Sequence, residues 1–295
     1  MERGPGGEVK IRNELLLVFA MIIWSASWTS GKLIANSADP KITLFWRFLF
    51  SAAALAPLVP LTGARFAITL QQALWAGLGA VIITVYTTLF FIGLKTGFAG
   101  AAGVLVTSMN PIFTYFLTRV LFRHTLRPRD ALGLGLGVVG GAVLIEIWKL
   151  SFEQLLMSGN LLFLVASFIY ALVTLTTNAA TRSTSIVVYS FYVNVFGAVI
   201  VAPLIGTGFA ATPAIADTNY WVNIIYLGVI SNSFATTVYF YAVKQLGSAR
   251  ASSYIFIVPA TALLIAALYL QEPVKTTTLI GGLIALLAVT ILRRD

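Results

Sequence analysis

Three side chains at helical spacing are the first in this 295-residue chain that could do chemistry. Trp24, Trp28 and Lys32 are four apart and share one face of a helix. Two aromatic rings beneath a cation can hold a ring or apolar group together with a carboxylate. The structural alternative is that the tryptophans meet lipid or neighbouring helices. Lys32, near the end of its apolar run, would then snorkel to the outer interface. Arg47 poses the same question in the next apolar stretch. A charge at mid-membrane costs about 2.5–3.5 kcal/mol on insertion scales, so snorkelling or bonding to carbonyls competes with ligand contact.

Uncharged polar residues follow helical spacing elsewhere. Thr107, Asn110, Thr114 and Thr118 form one stripe. Ser167, Tyr170, Thr174, Thr177, Asn178 and Thr181 form a stronger one, and Asn232, Thr236, Tyr239 and Phe240 a cluster. Thr84 and Thr88 share a face that Tyr86 does not. Hydroxyls and amides in lipid turn toward a neighbour or a wet space. Hydrogen bonds between helices account for most of the threonines, whereas an asparagine amide is costlier to leave unpaired. The candidate binding set is therefore Trp24, Trp28, Lys32, Tyr86, Asn110, Tyr170, Asn178, Asn232 and Tyr239. Together they describe a neutral cavity with aromatic walls, suited to an uncharged or zwitterionic, partly apolar solute.

Absences are informative too. All ten acidic residues lie in tails, loops or helix ends. Exporters that couple cations to protons need an intramembrane carboxylate to titrate, so facilitated movement or exchange fits this chain better. Glu14 or Glu146, at helix ends, leaves a coupling route open. With no cysteine there is no disulfide or thiolate metal site. The single histidine, His124, lies in a basic turn. No metal or cofactor is expected. An intramembrane enzyme would need a reactive pair within the spans, and there is none. Gly135-Leu136-Gly137-Val138-Val139-Gly140 matches a dinucleotide fingerprint, which needs a strand before it and a helix after it. Here it lies inside a continuous apolar run, and Gly133, Gly137 and Gly141 read as a bare packing face.

The elements that must carry these residues are set by composition. The chain is 59% hydrophobic and only 10% charged, against roughly 25% charged in soluble proteins. Its mean hydropathy is +0.92. Lipid is the better solvent for such a chain. The net charge of +9 is scattered through short loops, which points to membrane orientation rather than nucleic acid. Ten apolar segments of about the length that crosses a bilayer as a helix are expected. They run roughly over 14–34, 42–61, 73–94, 99–121 and 131–147, then 159–180, 186–205, 220–243, 248–270 and 276–292. The first is read as an uncleaved span rather than a signal peptide. The domain layout is thus a tail 1–13, a first five-helix half 14–147, a linker 148–158, a second half 159–292 and a tail 293–295.

The halves share a layout. Asn110-Pro111 and Val258-Pro259 each sit inside an apolar helix, and each proline lies 22 residues before the glycine that opens the next one, Gly133 or Gly281. Each proline removes a backbone donor and either fixes a kink or marks a hinge. Because each half has five spans, the second enters from the opposite side, so two copies make an inverted repeat. Thirteen Lys and Arg lie on one side of the ten spans and four on the other, which puts both termini in the cytoplasm.

Two five-helix halves, each with a proline in its fourth helix and a polar turn before a glycine-rich fifth, resemble the EamA family of the drug/metabolite transporter superfamily. The second half carries the pattern best, in Val258-Pro259, Leu270-Gln271-Glu272-Pro273 and Ile280-Gly281-Gly282. The first departs from it, with His124 where the second has Glu272. Among members, the chain resembles the YddG-type aromatic amino-acid exporters in overall appearance. The resemblance implies an all-α integral membrane protein of ten transmembrane helices in two inverted five-helix repeats, in a bacterial inner membrane. Its partners would be a small-molecule substrate and the lipid bilayer, with no nucleic acid, as a monomer or homodimer. The expected function is export of small metabolites, above all amino acids including aromatic ones, by alternating access about Pro111 and Pro259. Helices one, three, four, six, eight and nine would line the path. The alternatives are a proton-coupled exporter of drugs or cationic compounds, and a carrier of phosphorylated or nucleotide-linked sugars that would use Lys32 and Arg47.

Overall fold

The computed structural model describes residues 5–121, 128–149, 159–213, 217–239, 241 and 254–293. Among them every regular element is helical. Eight helices are long and apolar enough to cross a membrane, and two more, Ile257–Tyr269 and Thr276–Leu292, are shorter and apolar. In chain order they are α1 (Pro5–Ile34), α2 (Pro40–Leu55), α3 (Leu70–Thr96), α4 (Ala99–Leu121) and α5 (Pro128–Ile145). Then come α6 (Gly159–Ala180), α7 (Ile186–Ile205), α8 (from Thr218), α9 (Ile257–Tyr269) and α10 (Thr276–Arg293). His124, Phe240 and most of the 148–158 linker lie outside the described residues.

The helix ends follow local chemistry. The Asp39 carboxylate accepts from Lys41 N at 2.8 Å, with Pro40 at the first helical position of α2. At α3, Thr69 and Gln72 form a reciprocal capping box. Helical structure in α1 begins at Pro5, inside what the sequence suggests is a tail. Within α8, α-helix over Thr218–Ile225 passes into a π-helical stretch, Tyr226–Ala235. Before α9, a 3-10 turn spans Tyr254–Phe256 and α-helix follows from Ile257; the segment start expected near 248 lies outside the described residues.

The helices of the two halves interleave. The principal contacts pair α1 with α9 and α8, α2 with α7 and α8, and α3 with α6 and α7. They also pair α4 with α6 and α9, and α5 with α10. Each joins one half to the other, and exchanging α1–α5 for α6–α10 leaves this set unchanged. The α5–α10 crossing is close because glycine meets glycine: a Cβ on Gly140 would lie 3.0 Å from Ala285 N and 3.1 Å from Gly281 O. Gly133, Gly137 and Gly141 form a bare face against Leu292, Ile112 and Met109, the packing role expected from their spacing.

Candidate functional site

A cavity of about 600 Å³ lies inside the bundle. It occupies the half of the bundle nearer the α6–α7 turn, where Gln72 of α3 donates to Ser183 O at 2.6 Å. At the opposite end the helices close. There Trp28 packs against Phe90, with centroids 5.0 Å apart, and meets the edge of Phe163 at 6.5 Å. Phe163 in turn fills the space left by Gly93 and Gly97.

Eight of the nine sequence candidates line the cavity: Trp24, Trp28, Tyr86, Asn110, Tyr170, Asn178, Asn232 and Tyr239. Trp24 donates its indole N–H to Ser231 O at 3.1 Å, inside the π-helical stretch, and packs on Tyr239 at 5.2 Å. A π stretch is under-wound and shifts the register of the residues it carries. Here it brings Ser231, Asn232 and Thr236 to the wall. Tyr86 and Tyr170, from α3 and α6, face each other at 4.8 Å. Asn232 donates to Ser51 Oγ at 2.9 Å and to Asn194 Oδ1 at 3.1 Å, which ties α8 to α2 and α7.

Lys32 is the exception. It stands outside the cavity lining and donates to Leu94 O at 2.6 Å and Gly97 O at 2.9 Å. Those carbonyls end α3, where a cation also meets the negative end of the helix dipole. The spacing that aligned Lys32 with the tryptophans was correct, but α1 carries it past the hollow to the sealed end. Arg47 stays inside. It lines the cavity, with its guanidinium carbon 5.8 Å from the Phe90 ring centre. Pro111 borders the cavity within unbroken α4, whereas Pro259 is buried beside Val258, which does line it.

Two walls were missing from the sequence expectation. Arg47 and Phe48 bring α2 into the lining. Ile186, Tyr189, Ser190, Val193 and Asn194 bring in α7. The signal on α7 was a polar stripe at helical spacing inside a very apolar helix. On α3 the wall is Gly79, Ile83, Tyr86 and Thr87, so Tyr86 and not the Thr84–Thr88 face points inward. Among the described residues no Asp, Glu or His lines the cavity, and no cluster of three such ligands could hold a metal.

The acids instead hold the frame. Glu272 accepts from the backbone N–H of Ala99 and Gly100 and so caps α4. Glu146, just past α5, accepts from Lys275, Lys149 and Thr277 at 2.8–2.9 Å. Those bonds, Lys275 first, pull its carboxyl down to about 2. Buried Asp130 pairs with Arg119 at 3.5 Å.

Comparison with known proteins follows this division of the chain. The model of the EamA-like transporter family matches residues 12–145 and 157–294. An uncharacterized transporter of Archaeoglobus fulgidus is 24% identical over 282 residues, covering 94% of this chain and 96% of its own. A probable terminal-alkyne amino-acid exporter of Streptantibioticus cattleyicolor is 21% identical over 278 residues, covering 94% and 92%. One protein crystal structure superimposes with a TM-score of 0.61 over 96% of this chain and 98% of its own, at 17% identity. That last likeness speaks for the fold alone.

Proposed function

The chain belongs to the EamA-like transporter family, and on that premise we propose that it exports small metabolites, above all amino acids including aromatic ones, by alternating access. The observation that carries this reading is the cavity: aromatic rings and amides line it, and among the described residues no carboxylate does. Its volume suits a small metabolite. A zwitterion is net neutral and can be held by amides, rings and one cation. The likeness over most of the chain to a probable terminal-alkyne amino-acid exporter favours the same class. A carrier of organic cations would draw its selectivity from an acid, which the lining lacks.

The transport cycle follows from the interleaved halves. Two five-helix units, inverted with respect to each other, would form ten spans around the cavity, with both termini in the cytoplasm by the positive-inside rule. The self-mapping contact set supports that pairing. The packing of Trp28, Phe90 and Phe163 then closes the end that this orientation puts away from the cytoplasm. Exchange of the roles of the two halves, flexing about Pro111 and Pro259, would open the other side.

Reconstituted proteoliposomes test this reading. Labelled phenylalanine or threonine should enter faster than into protein-free vesicles, and should do so without an imposed pH gradient. No flux above empty vesicles for any amino acid would overturn the substrate assignment.

A further inference from the structure

We propose that Arg47 selects the solute by binding a single carboxylate in the cavity, so that the transported class is monocarboxylates, zwitterionic amino acids first. This rests on reading the cavity as the transport site. Two other cations of these helices already have partners. Lys32 spends its ammonium on carbonyls at the end of α3, and Arg119 binds Tyr115 and Asp130. Arg47 Nη1 is enclosed with no hydrogen-bond partner. Beside the guanidinium are the Phe90 ring, which attracts a cation without neutralising it, and the neutral phenols of Tyr86 and Tyr170. A charge in a hollow without acids calls for an anion.

A guanidinium meets a carboxylate through two parallel N–H···O bonds, which gives direction as well as strength. One cation matches one carboxylate; a phosphate dianion would keep a net negative charge. The rest of a bound amino acid also finds complements. Tyr86 and Tyr170 offer ring surface. Asn232 has spent its N–H groups on Ser51 and Asn194, and its Oδ1 can accept from an ammonium.

Binding to the purified full-length protein, read by quenching of its intrinsic tryptophan fluorescence, tests the assignment with four probes: phenylalanine, phenylalaninamide, 3-phenylpropanoate and inorganic phosphate. Phenylalanine and 3-phenylpropanoate should bind, and the amide should bind at least about tenfold more weakly. Arg47→Gln should weaken the two carboxylates about ten- to a hundredfold, in line with the loss of a charged hydrogen bond, and leave the amide unchanged. Arg47→Lys should fall between. Equal binding of acid and amide, or unchanged affinity in Arg47→Gln, would overturn the role of Arg47 and leave the amino-acid reading standing. Phosphate displacing phenylalanine at equal concentration would overturn the carboxylate assignment. Should Arg47→Gln fail to fold, acid against amide on the unsubstituted protein still decides. No binding of any probe to folded protein would overturn the amino-acid reading itself.

Discussion

The carboxylate of Glu272 accepts from the backbone N–H of Ala99 at 2.8 Å, although the two residues are 173 positions apart. Its second oxygen takes Gly100 N at 2.9 Å. The α9–α10 turn therefore caps α4, and Lys32 of α1 binds the last carbonyls of α3 in the same corner. Two opposite charges from distant segments pin one turn at the sealed end of the bundle.

Removing that cap should cost stability and loosen the seal. For Glu272→Ala a loss of about 1–2 kcal/mol is expected from a helix N-cap, read by thermal unfolding in detergent. The chain has no cysteine, so a single cysteine at buried Ala166, one turn from Phe163, reports on access without removing a sealing ring. Thiol labelling there should speed up in the Glu272→Ala background; an unchanged rate would mean that the turn is not part of the seal.

Glu146 makes stability depend on acid. Its folded-state pKa is about 2, against an ordinary value of 4.5, because Lys275, Lys149 and Thr277 bind the ionised form. The contribution is complete above about pH 4.5 and disappears as pH falls toward 2. Wild type and Glu146→Gln should therefore differ in unfolding temperature near neutrality and converge as pH is lowered through that window. A difference that grows on acidification would contradict the assignment.

Asn232 joins three helices at the cavity wall. Asn232→Ala leaves Ser51 and Asn194 without that donor, and an unsatisfied buried partner costs about 1–3 kcal/mol. Amino-acid affinity in a transport assay should fall about tenfold or more. Asn232→Gln, which keeps the amide but lengthens the arm, should restore part of it.

Pro111 deprives α4 of a backbone donor where the helix borders the cavity. If the chain flexes there, Pro111→Ala should slow transport several-fold while leaving solute affinity nearly unchanged. Equal effects on both would mark Pro111 as a packing residue only.

The Gly140–Gly281 contact predicts its own test. Gly140→Leu would drive a side chain into the backbone at Ala285, and overpacking of that kind costs about 1–3 kcal/mol or more. The thermal midpoint should drop, whereas Gly135→Ala, which meets open space, should not lower it, since alanine is the better helix former.

Much of this was legible along the chain because membrane helices are local objects. A bilayer leaves backbone groups no partner outside the helix, so an apolar run of the right length is already an element. Helical spacing then showed which polar residues share a face, and Trp24, Tyr170, Asn178 and Asn232 reached the cavity wall as their stripes implied. What spacing could not decide was depth and company. Lys32 and Trp28 share a face, yet only Trp28 borders the hollow, because the far end of α1 is buried against the α3–α4 turn. Arg47 and Lys32 offered the same ambiguity as a cation near a helix end. Tertiary packing resolved it by giving Lys32 three carbonyls and leaving Arg47 Nη1 with none. The sequence determined the helices and the faces they present; how they interleave across the two halves, and so which charge meets the cavity, exists only once α2 and α7 have packed together.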